Sequence, residues 1–503
     1  MKKRLPLFLA LAALCAPAAG SRERPDTAAG RLAYRVEALG AAGSGGYAPL
    51  WFTANRYGLS GVDNKFASLR AGVAWRQPLP RRWQVEAGLE LAGAWHESAP
   101  FAIQQAYADV SWRKLRLSIG SKERPGFPLD KPMALSSGMM VEGPGARPIP
   151  QVRAEISDYV PFPGTHRWLW LKGHLAYGWQ TDGRWQQDFT DWRDSYSYVK
   201  KALYHSKSLM FKIGDHEQFP LEFEFGILMA AQFGGTRYYK EAGKAPESFS
   251  MPKGLKSYWH AFFPTVGGDD TPEGDQVNIE GNQMGSWNFA LSWTAGDWRV
   301  RAYLEHYFED HSQMFWEYGR WKDGQIGIQV DLPENPVVGT ILWEGLNTKD
   351  QSGPILYDGY ANRFPEYQIS AGDNYYNHFF YGGWAHWGQA MGNPLLVGPA
   401  YNRDGSLNFK SNRVRANHLG LSGEPTDEWQ WRVLMSMSRY WGTYGQPLDR
   451  QRKQFSSLFE AAYSPAWAPG WKATAALGFD RGNYLGNNTG FMLGISKQGI
   501  LLK

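Results

Sequence analysis

The sequence predicts an all-β protein whose strands close into a transmembrane antiparallel β-barrel, with short periplasmic turns and long extracellular loops. Three observations predict it. The first is a composition that is polar on average, with mean hydropathy −0.47, yet holds 24 Trp, 26 Tyr and 26 Phe in 503 residues. A membrane barrel reconciles the two, because only alternate residues face lipid, the lumen is polar and aromatic girdles sit at both interfaces. The second is period-two alternation in segments close to the ~9–11 residues that a tilted membrane strand requires. The third is that short turns alternate with long connections rich in Gly, Pro and Asn.

The N-terminal segment sets the compartment. Residues 1–20, MKKRLPLFLALAALCAPAAG, read as a secretory signal. Lys2, Lys3 and Arg4 give a basic start, an apolar stretch runs from Leu5 to Leu14, and Ala16-Pro17-Ala18 offers a small-residue cleavage site. Cys15 is the one cysteine of the chain. Leu14 before it is larger than the small residue a lipoprotein signal prefers, so a secretory signal is the better reading. The mature chain then has no cysteine for disulfides, thiol nucleophiles or thiolate metal sites. The formal charge is +5. Without the three basic residues of the signal it is about +2, too little to imply nucleic acid as a partner. No later apolar run approaches the ~18 residues of a transmembrane helix.

Taken in order, the strands share one design. In RWQVEAGLELAGAWH (82–96), Trp83, Val85, Ala87, Leu89, Leu91 and Trp95 share one face, while Arg82, Gln84, Glu86, Glu90 and His96 share the other. ADVSW-RK-LRLSI (108–119) changes face across Arg113-Lys114, the mark of a tight hairpin. LEFEFGILMAAQF (221–233) and WQWRVLMSMSRYW (429–441) repeat the alternation. TAGD (294–297), SGEPTDE (422–428) and SPAWAPG (464–470) are short turns. The long connections are 121–165, 180–205, 235–285, 309–325 and 372–412. A soluble β-sandwich or propeller also alternates, but seldom puts Trp at both ends of a polar-lined strand. No linker divides the chain, so residues 21–503 are expected to form one barrel domain, with strands from about residue 31.

The TAGD turn places the next strand. Trp298–Phe308 is about one membrane crossing, with Trp298, Val300, Ala302, Leu304 and Phe308 toward lipid. Arg299, Arg301, Tyr303, Glu305 and Tyr307 then face the lumen, and Glu309 and Asp310 lie at the extracellular mouth. His306 and His311 are five apart, a spacing that suits neither a strand pair nor a helix face for a metal. HEQFP (216–220) lacks the second His of a zinc helix. Asp310, His311 and Ser312 are adjacent, but neighbours on an extended chain point apart and rarely make a triad. No nucleophile-elbow motif is present. The expectation is no metal, no cofactor and no enzymatic activity.

The residue types at the mouth suit carbohydrate better. Carboxylates and amides hydrogen-bond sugar hydroxyls, and aromatic rings stack on pyranose faces. Three clusters have this makeup. The first is Glu309 and Asp310; the second, ILWEGLNTKDQSGP (341–354), holds Glu344, Asp350 and Gln351; the third, DNYYNHFFYGGWAHWG (373–388), holds Asp373, Asn374, Tyr375, Tyr376 and Asn377. These are the carbohydrate-binding candidates, of a kind suited to neutral or basic sugars. The competing reading is a set of self-sealing loops whose polar groups bond one another.

At these residues the chain resembles the capsule assembly protein Wzi family. The resemblance is carried by PLWFTANRYGL (49–59), LSSGMMVEGPGARPIPQVRAEISDYVPFPGTHRWLWLKGHLAYGWQTD (135–182), LYHSKSLMFKIG (203–214) and GSWNFALSW (285–293). It continues through HYFED (306–310), NTKDQSGP (347–354), DNYYNH (373–378), GNPLL (392–396) and NRVRANHLGL (412–421). It implies a monomeric outer-membrane barrel of about eighteen antiparallel strands, its outer mouth largely closed by loops. It also implies lectin-like, non-enzymatic retention of capsular polysaccharide. Only about thirty residues precede the first strand, short for the periplasmic helical portion of some members, and GISKQGILLK lacks a terminal aromatic. The reading is an outer-membrane protein of capsule assembly, with capsular or other surface polysaccharide and membrane lipid as partners. The alternatives are a carbohydrate-permeable porin, which needs an open lumen, and an outer-membrane lipase or protease, which needs a catalytic pair at the rim.

Overall fold

A computed structural model describes residues 30–125, 128–272, 275, 279–309, 314, 323–355 and 370–502. The N-terminal segment read as a signal, Asp310 and His311–Gln313 lie outside the described residues. Eighteen strands form one closed antiparallel sheet. They are β1 Arg31–Ser44, β2 Lys65–Leu79, β3 Trp83–Trp95, β4 Phe101–Trp112, β5 Leu115–Ser121, β6 Gln151–Pro161, β7 Leu169–Trp179, β8 Leu203–Ile213 and β9 Leu221–Phe233. They continue as β10 Asn282–Ala295, β11 Trp298–Phe308, β12 Gly324–Asp331, β13 Thr340–Asn347, β14 Val414–Gly423, β15 Trp429–Gly442, β16 Pro447–Tyr463, β17 Trp471–Gly482 and β18 Asn488–Leu502. The first and last strands pair from Leu32↔Leu502 to Ser44↔Thr489, which removes both sheet edges.

The expected alternation is met along β3: Trp83, Leu89, Leu91 and Trp95 are exposed on the outer wall, while Glu86 and Glu90 are buried toward the lumen. Trp83 and Trp112 lie 6.4 Å apart, and Trp429 and Tyr463 4.7 Å, beside the short turns. With exposed Trp293, Trp298 and Trp471 they form the girdle at that rim. The short turns all lie at this rim, which therefore is the periplasmic one. No helix of the described residues is long and apolar enough to cross a membrane.

Two readings are corrected. The connection 121–165 contains a wall strand, β6, which pairs with β5 and β7. The Gly- and Pro-rich run before it and Asp158 within it hide its alternation. Phe308 does not face lipid: it is 2 % exposed and buried beside Gly285 of the neighbouring strand.

The lumen is filled from above. Loop 45–64, loop 122–150 and loop 373–413 enter it and share one apolar core with the wall. Phe52, Leu135, Met140, Leu395 and Leu396 from the loops join Met210, Leu228, Leu342, Leu434, Leu458 and Met492 from the strands. Burying this much apolar surface away from both water and lipid is what holds the loops inside.

Candidate functional site

The plug is locked by ion pairs whose two halves are far apart in the chain. Lys131, in loop 122–150, has a fully buried side chain. It pairs with Glu305 of β11, lies 3.7 Å from Glu344 of β13, and donates to Gln325 Oε1 at 2.9 Å and the Gly138 carbonyl at 3.0 Å. Glu344 also accepts from Ser136 Oγ at 2.7 Å, and from Ser137 N and Oγ at 2.6 Å each. Tyr303 donates to Glu344 across the intervening strand, over Gly327. A Cβ at Gly327 would lie 2.1 Å from the Tyr303 ring, so only glycine permits the crossing. Lower down, Asp130 pairs with Lys172 at 2.9 Å, and Arg301 with Glu224 at 2.8 Å. On the next strand His418, the register partner of Glu344, meets the Leu135 carbonyl through Nε2 at 2.7 Å, above Gly420.

Of the predicted sugar contacts, Glu344 thus sits within the lumen, 1 % exposed, and holds the plug. Gln351 is fully buried as well. The structure does draw the three clusters together. Asp323, which sequence reasoning passed over, is the hub: its carboxylate accepts from Asn347 Nδ2 at 3.1 Å, Asp350 N at 3.3 Å and Tyr375 OH at 3.1 Å. Glu309 accepts from Tyr307 OH at 2.6 Å and Tyr376 N at 2.7 Å. Tyr375 and Tyr376 point inward, fully buried, with their rings edge-on to Tyr307 at 4.7 and 5.7 Å. The Tyr376 hydroxyl donates to the plug carbonyl of Met140.

Asn374 is exposed and accepts from Asn412 Nδ2 at 2.7 Å; Asn377 exchanges hydrogen bonds with the backbone of Phe409, at 2.9 and 2.7 Å. Asp373 is half-buried. Asp350 lies nearer solvent. Burial raises its carboxyl, but hydrogen bonds from Asn347 (3.0 Å) and Arg415 (3.2 Å) outweigh that and hold it below its usual range. Residues 373–377 therefore form a lid: a positive φ at Tyr376 lets both adjacent tyrosines turn down onto the plug, and Asn374 faces outward.

Two open clefts lie elsewhere on the cap, on loops 180–202, 234–281 and 373–413. Helix Gly183–Thr190 stacks Trp185 on Phe189 at 4.8 Å and leads to Trp192, which is 65 % exposed. One cleft of about 270 Å³ is lined by Asp188, Phe189, Trp192, Ala400, Asn402, Arg403 and Gly405. A second, of about 410 Å³, is lined by Arg193, Ser195, Tyr196, Ser197, Arg237, Tyr239, Lys240 and Glu241. Arg193 joins them, reaching the Gly405 carbonyl at 3.5 Å. A small sheet of Tyr196–Lys200, Thr236–Lys240 and Glu247–Ser250 supports the second cleft. The signal for this region was present as the aromatic spacing Trp185, Phe189, Trp192, Tyr196, but the segment read only as a long connection.

The cap edge carries a group that titrates near neutrality. Glu97, between β3 and β4, is raised to about 7, because burial outweighs the pull of Arg147 and Ser68. Arg147, 6 % exposed, stacks over Trp387 at 4.7 Å. A raised carboxyl stabilises fully below its unfolded value and loses that contribution as pH climbs through about 7. Amide exchange in residues 96–100 and 385–388, corrected for intrinsic rates, is expected to be faster at pH 8 than at pH 5. Glu97→Gln should abolish the difference, and an unchanged difference in that variant would refute the assignment.

Among the described residues one trio could face a cation: Asp215, His216 and Glu222. Arg167 at 2.9 Å and Lys212 at 2.7 Å already pair with its carboxylates, so it is an ion-pair cluster.

No protein-family model matches the chain, and no curated protein matches it in sequence. Solved structures do. Similar in structure is Escherichia coli Wzi, an outer-membrane protein involved in group 1 capsule assembly and a carbohydrate-binding β-barrel. The TM-score is 0.55 at 15 % identity, over 92 % of this chain and 83 % of that one. The chain shares its fold with Wzi. It is an outer-membrane β-barrel protein. Acinetobacter baumannii OccAB4 aligns over 95 % of this chain and 100 % of its own, with a TM-score of 0.46 at 7 % identity.

Proposed function

We propose that this barrel retains capsular or other surface polysaccharide at the cell surface, gripping it on the outer face of the cap and passing nothing through the lumen. One observation carries the reading: two adjoining clefts, aromatic and hydrogen-bonding, open outward on the cap of a barrel whose interior is filled. Trp192 offers an exposed ring face for a sugar, beside the Arg184–Asp188 pair and the Asn402 amide, whose NH2 is tied to the Ser406 and Asn408 carbonyls. Lys240 is paired with Asp194 at 3.2 Å and Glu241 with Lys244, which leaves Arg193 and Arg237 as the cations that favour a polymer carrying carboxylates. That differs from the neutral or basic sugars suited to the sequence clusters. The likeness to a carbohydrate-binding barrel makes polysaccharide the ligand class to test first. The filled lumen counts against the porin alternative.

A single neutral hydrogen bond contributes only about 1 kcal/mol net. Retention then depends on many weak contacts repeated along a polymer. Single substitutions should leave it near native, whereas Trp192→Ala, Arg193→Gln and Arg237→Gln combined should lower cell-bound polysaccharide severalfold and raise the shed fraction. A parallel variant, Asp350→Asn with Asn374→Ala, tests the outward residues of the predicted clusters. If both variants reach native barrel levels and both keep native retention, the reading is wrong.

A further inference from the structure

The outer wall of β7 to β10 breaks its own rule. Tyr177, His205, Lys207 and Gln283 lie in the lipid-facing register near the extracellular ends of these strands, where apolar residues belong. They are covered by a helix. Leu255–Phe262, from the long loop between β9 and β10, lies against the outside of the barrel. The wall supplies donors to its carbonyls: Tyr177 OH to Tyr258 O at 2.9 Å, Gln283 Nε2 to His260 O at 3.2 Å, and Lys207 Nζ to Phe262 O. The His260 and Phe262 carbonyls belong to the last turn and have no partner within the helix, so Gln283 and Lys207 cap it, while Tyr177 adds a second donor to the Tyr258 carbonyl one turn earlier. The Tyr258 ring packs on Tyr177 at 5.2 Å and edge-on to Phe233 at 5.1 Å, and Ser257, His260 and Ala261 are buried beneath.

The opposite edge of this helix has no cover. Leu255 is 90 % exposed, Trp259 61 % and Phe263 48 %, four residues apart and so on one stripe. The stripe faces away from the barrel and adjoins the lipid-facing wall, where exposed Leu175 pairs directly with Lys207 and Leu209 follows two residues on. Lys253 and Lys256 are exposed at the start of the helix.

We propose that Leu255–Phe263 is an interfacial foot. It lies flat in the outer leaflet with the Leu255–Trp259–Phe263 edge among acyl chains and Lys253 and Lys256 against the phosphates of lipid headgroups. An apolar edge with a basic flank, on a helix only eight residues long, is the mark of a helix that lies in an interface rather than across it. Continuity with the wall decides for lipid over a protein partner, because the same bilayer that covers Leu175 and Leu209 reaches the stripe. The loop that carries the foot also supplies Arg237, Tyr239, Lys240 and Glu241 to the second cleft, so the leaflet fixes the height of that cleft. The inference stands whatever polymer the cap holds.

The test uses the full chain with Cys15→Ser, which has no other cysteine. Spin labels are placed singly through Leu255→Cys and Phe263→Cys, with Leu209→Cys as a lipid-facing reference and Asp194→Cys as an aqueous one. The protein is reconstituted in vesicles of phosphatidylcholine mixed with phosphatidylglycerol. The ratio of collision with oxygen to collision with a water-soluble nickel chelate should be severalfold higher at positions 255 and 263 than at 194, approaching that at 209. Removing phosphatidylglycerol should lower the ratio at 255, and Lys253→Gln with Lys256→Gln should erase that response. A ratio like that of 194 at both positions overturns the proposal. So does low collision with both reagents that varies with protein density, which would mean that a second copy covers the stripe. No dependence on phosphatidylglycerol overturns the headgroup contact.

Discussion

Replacing Lys131 with alanine is expected to destabilise the folded barrel by about 3–5 kcal/mol, the cost of leaving buried charge without its partner. The Lys131 ammonium sits between Glu305 and Glu344, all with side chains at most 1 % exposed, and it lies 4.8 Å from the Tyr303 ring. Without it two carboxylates remain in the filled lumen. Met140 N still donates to Glu305 at 2.9 Å, and Ser136 and Ser137 still donate to Glu344, but no cation remains in contact. Lys131→Met keeps the volume and should cost nearly as much, which separates charge from cavity. Lys131→Met with Glu305→Gln should recover part of it, since one carboxylate, Glu344, is then left without a cation instead of two. The measurement is the urea midpoint of the barrel in detergent, followed by the mobility difference between unheated and boiled samples. A Lys131→Met barrel within about 0.5 kcal/mol of native, the range of a neutral surface change, would show that the pair does not hold the plug.

Excising the plug should turn a silent barrel into a channel. Eighteen strands enclose a lumen of the size that holds an aqueous channel when side chains and loops do not fill it. Here Leu135, Met140 and Val141 of loop 122–150 are completely buried at its centre. Replacing residues 128–149 with a short Gly-Ser turn removes them and leaves β5 and β6 joined. It also takes the floor from the lid, because Trp384 Nε1 donates to Val141 O at 2.8 Å and Tyr376 to Met140 O. In planar bilayers the native protein should show no steady conductance and the excised one a clear, ohmic conductance. An excised barrel that folds, as judged by heat-modifiable mobility, and stays silent would mean the other loops suffice to close it. Native conductance of porin size would refute the filled lumen itself.

The sequence alone was enough for whatever depends on near neighbours. Lipid on one side and a polar lumen on the other impose a period of two on every crossing, and that period is local. The span Trp298–Phe308, the turn at 113–114 and the outward faces of β3 and β15 were legible for this reason. Tertiary structure alone decided which polar residues face water. Glu344 meets Lys131 across more than two hundred residues, Tyr375 meets Asp323 through a loop between, and Lys207 finds its acceptor in a helix fifty residues on. A carboxylate or tyrosine in a loop has no period to declare its direction. It turns inward when a buried partner can satisfy it there and outward when none can, and that partner is fixed by the closed barrel rather than by the neighbouring chain.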